Sequence, residues 1–280
     1  MRIYQLDAFT DRLFAGNPAA VVPLKEWLPD EQMQLIASEN NLAETAFYVK
    51  TDEEDTYHIR WFTPTTEVDL CGHATLATGY VIFFLENQGI DNHETDQIYF
   101  NSRSGQLKVC RGEDGWMTLD FPVDKVQKAN LQPPALVASV HEKPVAIYKG
   151  KTDYMLVYET QEQIEALQPD LREMSTVPAR GIIVTAPGRP STSESEVCVD
   201  FVSRFFGPQT GIDEDPVTGS AHTTLVPYWA ERLGKKELTA RQLSKRGGYL
   251  RCKLNDEGSG PARVDISGQV QLYLTGEINS

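Results

Sequence analysis

Residues 211–222, with the sequence GIDEDPVTGSAH, combine carboxylates, a proline and a small turn immediately before an apolar helical pattern. The apolar pattern consists of Leu225, Val226, Trp229 and Leu233. This order predicts a loop that delivers Asp215 and Ser220 to the N-terminus of a helix, where unpaired backbone N–H groups attract anions. We interpret the segment as half of an active site.

The other half is indicated by an internal repeat. Residues 60–64 (RWFTP) resemble residues 204–208 (RFFGP), and each stretch is followed by an acidic loop, a glycine-led turn and an apolar helix. The offset is 204 − 60 = 144 at the arginines and 219 − 72 = 147 at the glycines, so the second copy has three extra loop residues. Two similar lobes are therefore predicted, with chance similarity of two strand-turn-helix units as the alternative.

Glu44 stands near the start of a predicted strand over residues 42–49, among apolar neighbours. Burial raises the pKa of a carboxyl group, which suits a general acid or base near neutral pH. The alternative is a glutamate of an edge strand that faces water.

Cys71, Gly72 and His73 begin the first predicted helix of the repeat. A cysteine at a helix N-terminus has a lowered pKa and can act as a nucleophile or proton carrier, whereas a small buried thiol beside a turn is the structural alternative. His73 can equally be a hydrogen-bonded structural histidine, Asp215 a turn residue and Ser220 an N-cap. Their joint position at the ends of regular elements favours a functional reading.

We predict no catalytic role for two arginines and one further histidine. The matched positions of Arg60 and Arg204 favour structural ion pairs over substrate binding. His222 is predicted to be exposed and is given no role.

Composition limits the class of protein. The chain has 280 residues, 40 acidic and 26 basic, for a net charge of −14, which disfavours nucleic acid and anionic membrane surfaces as partners. No apolar run approaches the roughly 20 residues of a membrane span, and the N-terminal residues lack the apolar core of a signal peptide. The four scattered cysteines indicate neither a zinc site nor a disulfide framework. A cytoplasmic location is the default expectation.

The coarse pattern predicts an α+β chain with much antiparallel sheet and one long helix per lobe. The first of these helices is expected from residue 73 to about 85, and residues 122–135, rich in proline and polar residues, are the candidate linker. Residues 187–196 are predicted to form an exposed, mobile loop.

Several ordered motifs carry a resemblance to a known family. They are DAFT at 7–10, F-x-GNPAAVV at 14–22, L-x-ETAF at 42–47, RWFTP at 60–64, CGHATLA at 71–77, EDPVTGSAH at 214–222, RLGKK at 232–236, RGG at 246–248 and VDISG at 264–268. Together they cover nearly the whole chain and resemble the PhzF-type phenazine-biosynthesis isomerases and their phenazine-biosynthesis-like domain relatives.

The resemblance implies a diaminopimelate-epimerase-like fold, in which two pseudo-symmetric lobes each wrap a mostly antiparallel sheet around a central helix. The first lobe would comprise residues 1–120 plus 270–280, and the second residues 121–269, with the active site between them. It also implies a homodimer, a small anionic metabolite as the partner, and no metal or organic cofactor.

The resemblance also implies roles for single residues. Glu44 would shuttle a proton, as in the isomerisation of trans-2,3-dihydro-3-hydroxyanthranilate. The other predicted catalytic residues, His73, Asp215 and Ser220, would surround the substrate and help to position the proton. The predicted substrate-binding residues are Cys71, Gly72, Thr218 and Gly219, and the backbone N–H groups of the two glycines would bind anionic oxygen.

Two departures bear on the reaction. Related racemases of this fold use one cysteine from each lobe, but aligning the second motif on Thr218 and Gly219 places Pro216 where the second thiol would be. Ala43 precedes Glu44 where the phenazine enzymes tend to have serine. The expectation is an isomerase of a small carboxylated metabolite that need not belong to phenazine synthesis. The alternatives are a racemase or epimerase of an amino or hydroxy acid, and a non-catalytic small-molecule or protein-binding member of the family.

Overall fold

The computed structural model describes residues 1–86, 95–190, 198–257 and 260–279. The chain divides into two compact units, a first unit of Met1–Phe121 with Asp265–Ser280, and a second unit of Pro122–Val264. No helix in the described part of the chain is both long and apolar enough to cross a membrane.

Six α-helices are present among the described residues. They are α1 (Asp30–Asn40), α2 (Gly72–Tyr80), α3 (Pro134–Ala138), α4 (Gln161–Ala166), α5 (Leu171–Met174) and α6 (Gly219–Leu233). A π-helical turn, Val81–Glu86, continues α2, and single 3₁₀ turns lie at Glu113–Gly115 and Pro208–Thr210.

The strands fall into two series along the chain. The first is β1 (Arg2–Ala8), β2 (Asn17–Leu24), β3 (Glu44–Lys50), β4 (Thr56–Phe62), β5 (Glu67–Val68), β6 (Gln97–Ser102), β7 (Gly105–Arg111) and β8 (Met117–Pro122). The second is β9 (Gln127–Lys128), β10 (Ala146–Lys149), β11 (Tyr154–Val157), β12 (Ile182–Pro187), β13 (Phe201–Gly207), β14 (Ile212–Asp215), β15 (Glu237–Gln242), β16 (Gly248–Asn255), β17 (Arg263–Gly268) and β18 (Val270–Glu277).

The strands of the two units pair in the same order. From β1 to β2, β3, β4, β6 and β7, successive pairs are antiparallel, parallel, antiparallel, parallel and antiparallel. From β10 to β11, β12, β13, β15 and β16 the series is identical. The short strands β5 and β14 fold back on β4 and β13 at equivalent points. The internal repeat therefore extends well beyond the segments in which the sequence shows it.

Each unit places one largely buried helix at the equivalent point of its series. All residues of α2 except Tyr80 are buried, and α2 packs against β1, β2 and β3. Helix α6 packs against β15 and β16 and buries apolar side chains that include Leu225, Val226 and Trp229. The predicted α+β class, with mostly antiparallel pairing and a central helix in each unit, is confirmed.

Four local points of the sequence analysis need correction or completion. The helix expected to continue to about residue 85 is α-helical only to Tyr80 and then widens to a π-helix. The candidate linker, residues 122–135, contains β9 and the start of α3. Strand β15 was not predicted. Of the predicted loop over residues 187–196, the part from 191 onward lies outside the described residues.

Candidate active site

In the first unit, the strand pairing brings Glu44 and Asn17 to one edge. Each begins a strand, and β2 and β3 are parallel with Ala19 opposite Glu44. Helix α2 begins at Gly72 and packs on both strands, which brings His73 to the same edge. Residues far apart in sequence thus form one cluster within a single unit.

Glu44 and His73 face each other in this cluster. The Glu44 Oε2 and His73 Nε2 atoms are 3.1 Å apart, and the side chains are only 12% and 5% exposed. Neither atom makes an aligned hydrogen bond to another described residue. A buried carboxylate oxygen and a ring nitrogen left in this state require a functional explanation, because unsatisfied buried polar atoms are costly.

The other ring nitrogen of His73 also has close neighbours. Its Nδ1 lies 3.1 Å from Asn17 Nδ2 and 3.5 Å from Cys71 Sγ. An amide can present either its nitrogen or, after a flip, its oxygen, so Asn17 can serve the neutral imidazole or the imidazolium. Asn17 was not singled out as a site residue from the sequence. Its place in the GNPAAVV motif was the available signal.

The pKa values in the cluster follow from burial and charge. Burial and the neighbouring Glu44 raise the pKa of the Cys71 thiol to about 11, so the lowered pKa expected at a helix N-terminus is wrong. Burial opposes a charge on His73, but Cys71 and Glu44 favour it, and its pKa is raised above the usual value. Because Cys71 is a neutral thiol near pH 7, Glu44 is the group that supports the imidazolium.

The same three side chains are the candidate metal ligands. One ligand atom from each of Glu44, Cys71 and His73 lies within 4.8 Å of the others. However, His73 presents Nδ1 to Cys71 and Nε2 to Glu44. The two nitrogens of an imidazole point in different directions, so the ring separates the thiol from the carboxylate. This arrangement suits proton transfer better than three ligands around one ion.

In the second unit, Asp215 is held by the residues around it. It is buried, and its Oδ2 accepts a hydrogen bond from the Thr218 hydroxyl at 2.5 Å. The Gln242 amide completes the arrangement: its nitrogen donates to the Asp215 carbonyl and to Thr218 Oγ1, and its oxygen accepts from the Thr218 N–H. Thr218, and not Ser220, occupies the N-cap position of α6.

Ser220 lies in the first turn of α6 and accepts a hydrogen bond at 2.9 Å from Arg180 Nη1. Arg180 was not singled out in the sequence. Gly72 and Gly219 are the first residues of α2 and α6, where backbone N–H groups have no acceptor inside the helix. The structure thus places the predicted residues in two clusters, one in each unit.

His222 differs from its prediction. It is fully buried in α6, and its Nδ1 lies 2.8 Å from the Thr218 carbonyl oxygen, to which it donates. Its Nε2 has no hydrogen-bond partner among the described residues, and burial lowers the pKa of this imidazole to about 4. His222 is therefore a neutral structural histidine at the pH of most cells.

Comparison with known proteins places these clusters in context. The family model described as phenazine biosynthesis-like protein matches residues 6–276. An uncharacterized isomerase of Pseudomonas aeruginosa is 44% identical, with 100% of this chain and 99% of that protein covered. A crystal structure of a PhzF-family phenazine biosynthesis protein from Enterococcus faecalis has a TM-score of 0.86 at 41% identity, covering 100% and 99% of the two chains.

A more distant likeness concerns the fold alone. A probable proline racemase from Agrobacterium radiobacter has a TM-score of 0.65 at 8% identity, covering 99% of this chain and 92% of that one. The fold is therefore epimerase-like, as expected, and the relatives support an isomerase in general terms. The match along nearly the whole sequence shows that the chain belongs to the PhzC-PhzF family of phenazine biosynthesis-like proteins.

Proposed function

We propose that this protein is a cofactor-independent isomerase that moves a proton on a small carboxylated metabolite, with Glu44 as the general acid and base. The observation that carries the proposal is the buried Glu44 Oε2, which lies 3.1 Å from His73 Nε2 and has no aligned hydrogen bond. Such an oxygen can accept a proton from carbon once a substrate is bound.

The proposed reaction uses one carboxylate for both proton transfers. Glu44 removes a proton from a substrate carbon, and the electron pair of that C–H bond moves into the conjugated system of the substrate. Glu44 then returns the proton to a different carbon on the same face. His73, whose pKa is raised, lies 3.1 Å from Glu44 and is proposed to hold this carboxyl group in place before the first transfer and after the second.

Cys71 is assigned no proton-transfer role in this proposal. A thiol with a pKa of about 11 is almost entirely protonated near neutral pH, so very little thiolate is present to act as a base. The other three cysteines, Cys110, Cys198 and Cys252, lie in β7, before β13 and in β16, and none begins a helix. A racemase with a thiol on each face of the substrate is therefore the weaker candidate.

The second-unit residues are proposed to bind substrate. Asp215 is fixed by Thr218 and Gln242, which suits a side chain that must hold one orientation. Ser220 offers a hydroxyl, and Gly72 and Gly219 offer helix N-terminal N–H groups to an anionic oxygen. The homodimer and the cytoplasmic location remain predictions from the family resemblance and the composition.

Proton NMR in heavy water tests the acid and base assignment. Candidate substrates are dihydro-hydroxyanthranilate and other small unsaturated or amino carboxylates, and the variant is Glu44→Gln. We expect deuterium at carbon with the wild-type protein and a loss of about 10²–10⁴-fold in rate with the variant, the usual contribution of a general acid or base.

Glu39→Gln is the matched control, because Glu39 lies in the same unit on an exposed position of α1 and undergoes the same change of charge and shape. This control is expected to exchange at the wild-type rate. Equal exchange by the wild-type and Glu44→Gln proteins would remove Glu44 from the mechanism. Absence of exchange with every compound would favour a non-catalytic binding protein.

A further inference from the structure

Arg180 is a firmly held cation of the second unit that the proposed reaction has not yet used. Its Nε donates to Asp153 Oδ1 at 2.9 Å, and its Nη2 donates to Asp153 Oδ2. Asp153 is 1% exposed, and the guanidinium carbon lies 5.3 Å from the centre of the Phe205 ring. A two-pronged ion pair and a stacked ring fix both the position and the plane of the guanidinium.

The third contact of Arg180 is with Ser220. Arg180 Nη1 donates to Ser220 Oγ at 2.9 Å, so one lone pair of the hydroxyl is occupied by a cationic donor. A serine hydroxyl has one hydrogen and two lone pairs. No described residue accepts a hydrogen bond from the Ser220 hydroxyl, and Ser220 is half-buried. Its hydrogen is therefore available to a group that enters from solvent.

The charge on Asp153 explains why Arg180 cannot easily leave this position. A carboxylate that is almost fully buried requires a charged partner, since an unpaired buried charge is strongly unfavourable. Lysine could supply the charge but not the planar fork that contacts both Asp153 oxygens and Ser220 at once. The geometry therefore requires arginine specifically.

We propose that Arg180 is a positioning residue that fixes Ser220 as a hydrogen-bond donor to an anionic oxygen of the substrate. The Ser220 hydroxyl then binds a carboxylate or enolate oxygen of the substrate more tightly than the oxygen of an uncharged amide. This inference rests on the proposed function for the identity of the ligand class, and it adds the residue that determines the preference.

The test is a binding measurement with two probes of the same shape and different charge, anthranilate and anthranilamide. Titration calorimetry of the wild-type protein is expected to show tighter binding of the carboxylate. The test variant is the double substitution Arg180→Gln with Asp153→Asn, because it removes the cation without leaving Asp153 charged and unpaired. Its preference for anthranilate is expected to fall about tenfold, the factor for one charge-assisted hydrogen bond.

A cycle with Ser220→Ala separates positioning from general destabilisation. If Arg180 acts through Ser220, adding Ser220→Ala to the double variant changes the preference by less than about twofold, whereas Ser220→Ala alone lowers it about tenfold. Arg204→Gln is the matched control, because Arg204 also pairs with a carboxylate and lies over a ring but makes no contact with Ser220. It is expected to keep the full preference while the protein remains folded.

Three outcomes would overturn the inference: equal wild-type affinity for the two probes, an unchanged preference in the Arg180 variant, or additive effects of the Arg180 and Ser220 changes. The Glu44→Gln protein is titrated in parallel, because it is expected to bind the probes normally even though it cannot transfer protons. A preference for anthranilate without Glu44-dependent exchange would support this inference and contradict the proposed function. Glu44-dependent exchange without a preference for anthranilate would support the proposed function and contradict this inference.

Discussion

Arg60 in the first unit and Arg204 in the second each form an ion pair with a glutamate and a contact with a phenylalanine ring. Arg60 donates from Nε and Nη2 to Glu67 at 2.7 and 2.8 Å, and Arg204 donates from the same atoms to Glu214 at 2.7 and 3.0 Å. Each guanidinium also lies over the phenylalanine two residues later, at 5.2 and 4.8 Å. The predicted structural ion pairs are confirmed, and they mark equivalent points of the two units.

The partner glutamates show where the copies diverge in length. Glu67 follows its arginine by 7 residues and Glu214 by 10, so the three extra residues of the second copy precede the carboxylate. A 3₁₀ turn, Pro208–Thr210, accommodates them. Beyond the glutamates the offset is constant, because each helix begins five residues later, at Gly72 and Gly219.

Strand register extends the equivalence to the preceding strands. Thr45 pairs with Phe62 across β3 and β4, and Ile182 pairs with Phe206 across β12 and β13. Because Phe62 and Phe206 are equivalent, Thr45 and Ile182 are equivalent as well. The residues just before them can then be compared directly.

That comparison shows that equivalent positions of the two units carry different side chains. Glu44 corresponds to Gly181, and Ala43 corresponds to Arg180. The first unit therefore presents a carboxylate to an imidazole, while the second presents a guanidinium to a hydroxyl, Ser220. The two units thus share the arginine–glutamate ion pair but place side chains of opposite charge at or just before the starts of equivalent strands, which agrees with the proposal that Glu44 alone transfers the proton.

The largest effect is expected when the chemistry of the first unit is made like that of the second. His73→Ser replaces the imidazole by the hydroxyl found at the equivalent position, residue 220. We expect the rate of deuterium exchange to fall about 10²-fold or more, because Glu44 loses the side chain that contacts it at 3.1 Å. His58→Ser is the control, since His58 is exposed on β4. A His73→Ser protein with wild-type turnover would show that the pair is not part of the mechanism.

The shared ion pair should be worth more in the second unit than in the first. Arg204→Gln leaves the half-buried Glu214 without an arginine, and it is expected to lower the free energy of unfolding by about 3 kcal/mol. Arg60→Gln leaves Glu67 beside Arg103, whose Nη2 lies 2.6 Å from Glu67 Oε2, so a loss of only about 1 kcal/mol is expected. Urea unfolding measures both. An equal or larger loss in the Arg60 variant would contradict this order.

The second unit should be the more acid-sensitive because of His222. Its pKa is lowered to about 4 in the folded protein, so the unfolded chain takes up this proton first as the pH falls. Its stabilising contribution is therefore present above about pH 6.5 and is lost as the pH falls toward 4. The equivalent residue in the first unit is Thr75, whose hydroxyl bonds the Cys71 carbonyl.

His222→Thr uses that equivalence as a test. Between pH 7 and pH 4, the free energy of unfolding of the wild-type protein is expected to fall by about 3 kcal/mol more than that of the variant, because only the wild-type protein contains His222. Urea unfolding of both proteins at a series of pH values gives the difference, in which the contributions of all other groups cancel. Parallel stability curves for the two proteins would mean that His222 does not titrate as its burial indicates.

A smaller effect is expected at Gly181, the counterpart of Glu44. A Cβ at this position would lie 2.1 Å from Cζ of Phe205, so Gly181→Ala should cost about 1–3 kcal/mol of unfolding free energy through displacement of the ring. Thermal unfolding measures the change. An unaffected melting temperature would show that the second unit can accept a side chain here, and that its lack of a carboxylate is not imposed by packing.

Local patterns predicted the elements but not the long-range contacts. The glycine-led starts of α2 and α6 follow from adjacent residues, and both were predicted. Arg180 could not be singled out, because it acquires its role from Asp153, 27 residues earlier, and Ser220, 40 residues later. Asn17 likewise meets His73 across 56 residues.

The errors at Cys71, His222 and strand β15 have a common physical cause, which is burial. Cys71 was judged by its place at a helix start, but desolvation outweighs that effect and raises its pKa. His222 was expected to be exposed, but α6 is buried on more than one face. Strand β15 was missed because its inward positions include a polar residue, Gln242, whose burial depends on hydrogen bonds to Asp215 and Thr218.

The pairing of β18 with β1 has a consequence for the order in which the chain folds. Arg2 lies opposite Glu277 and Ala8 opposite Val270, so the first unit is built from both ends of the described sequence. The second unit is a continuous stretch, Pro122–Val264. During synthesis on the ribosome, all residues of the second unit are made before β18, the last strand of the first unit. The second unit can therefore fold first, whereas in most proteins the N-terminal region folds first.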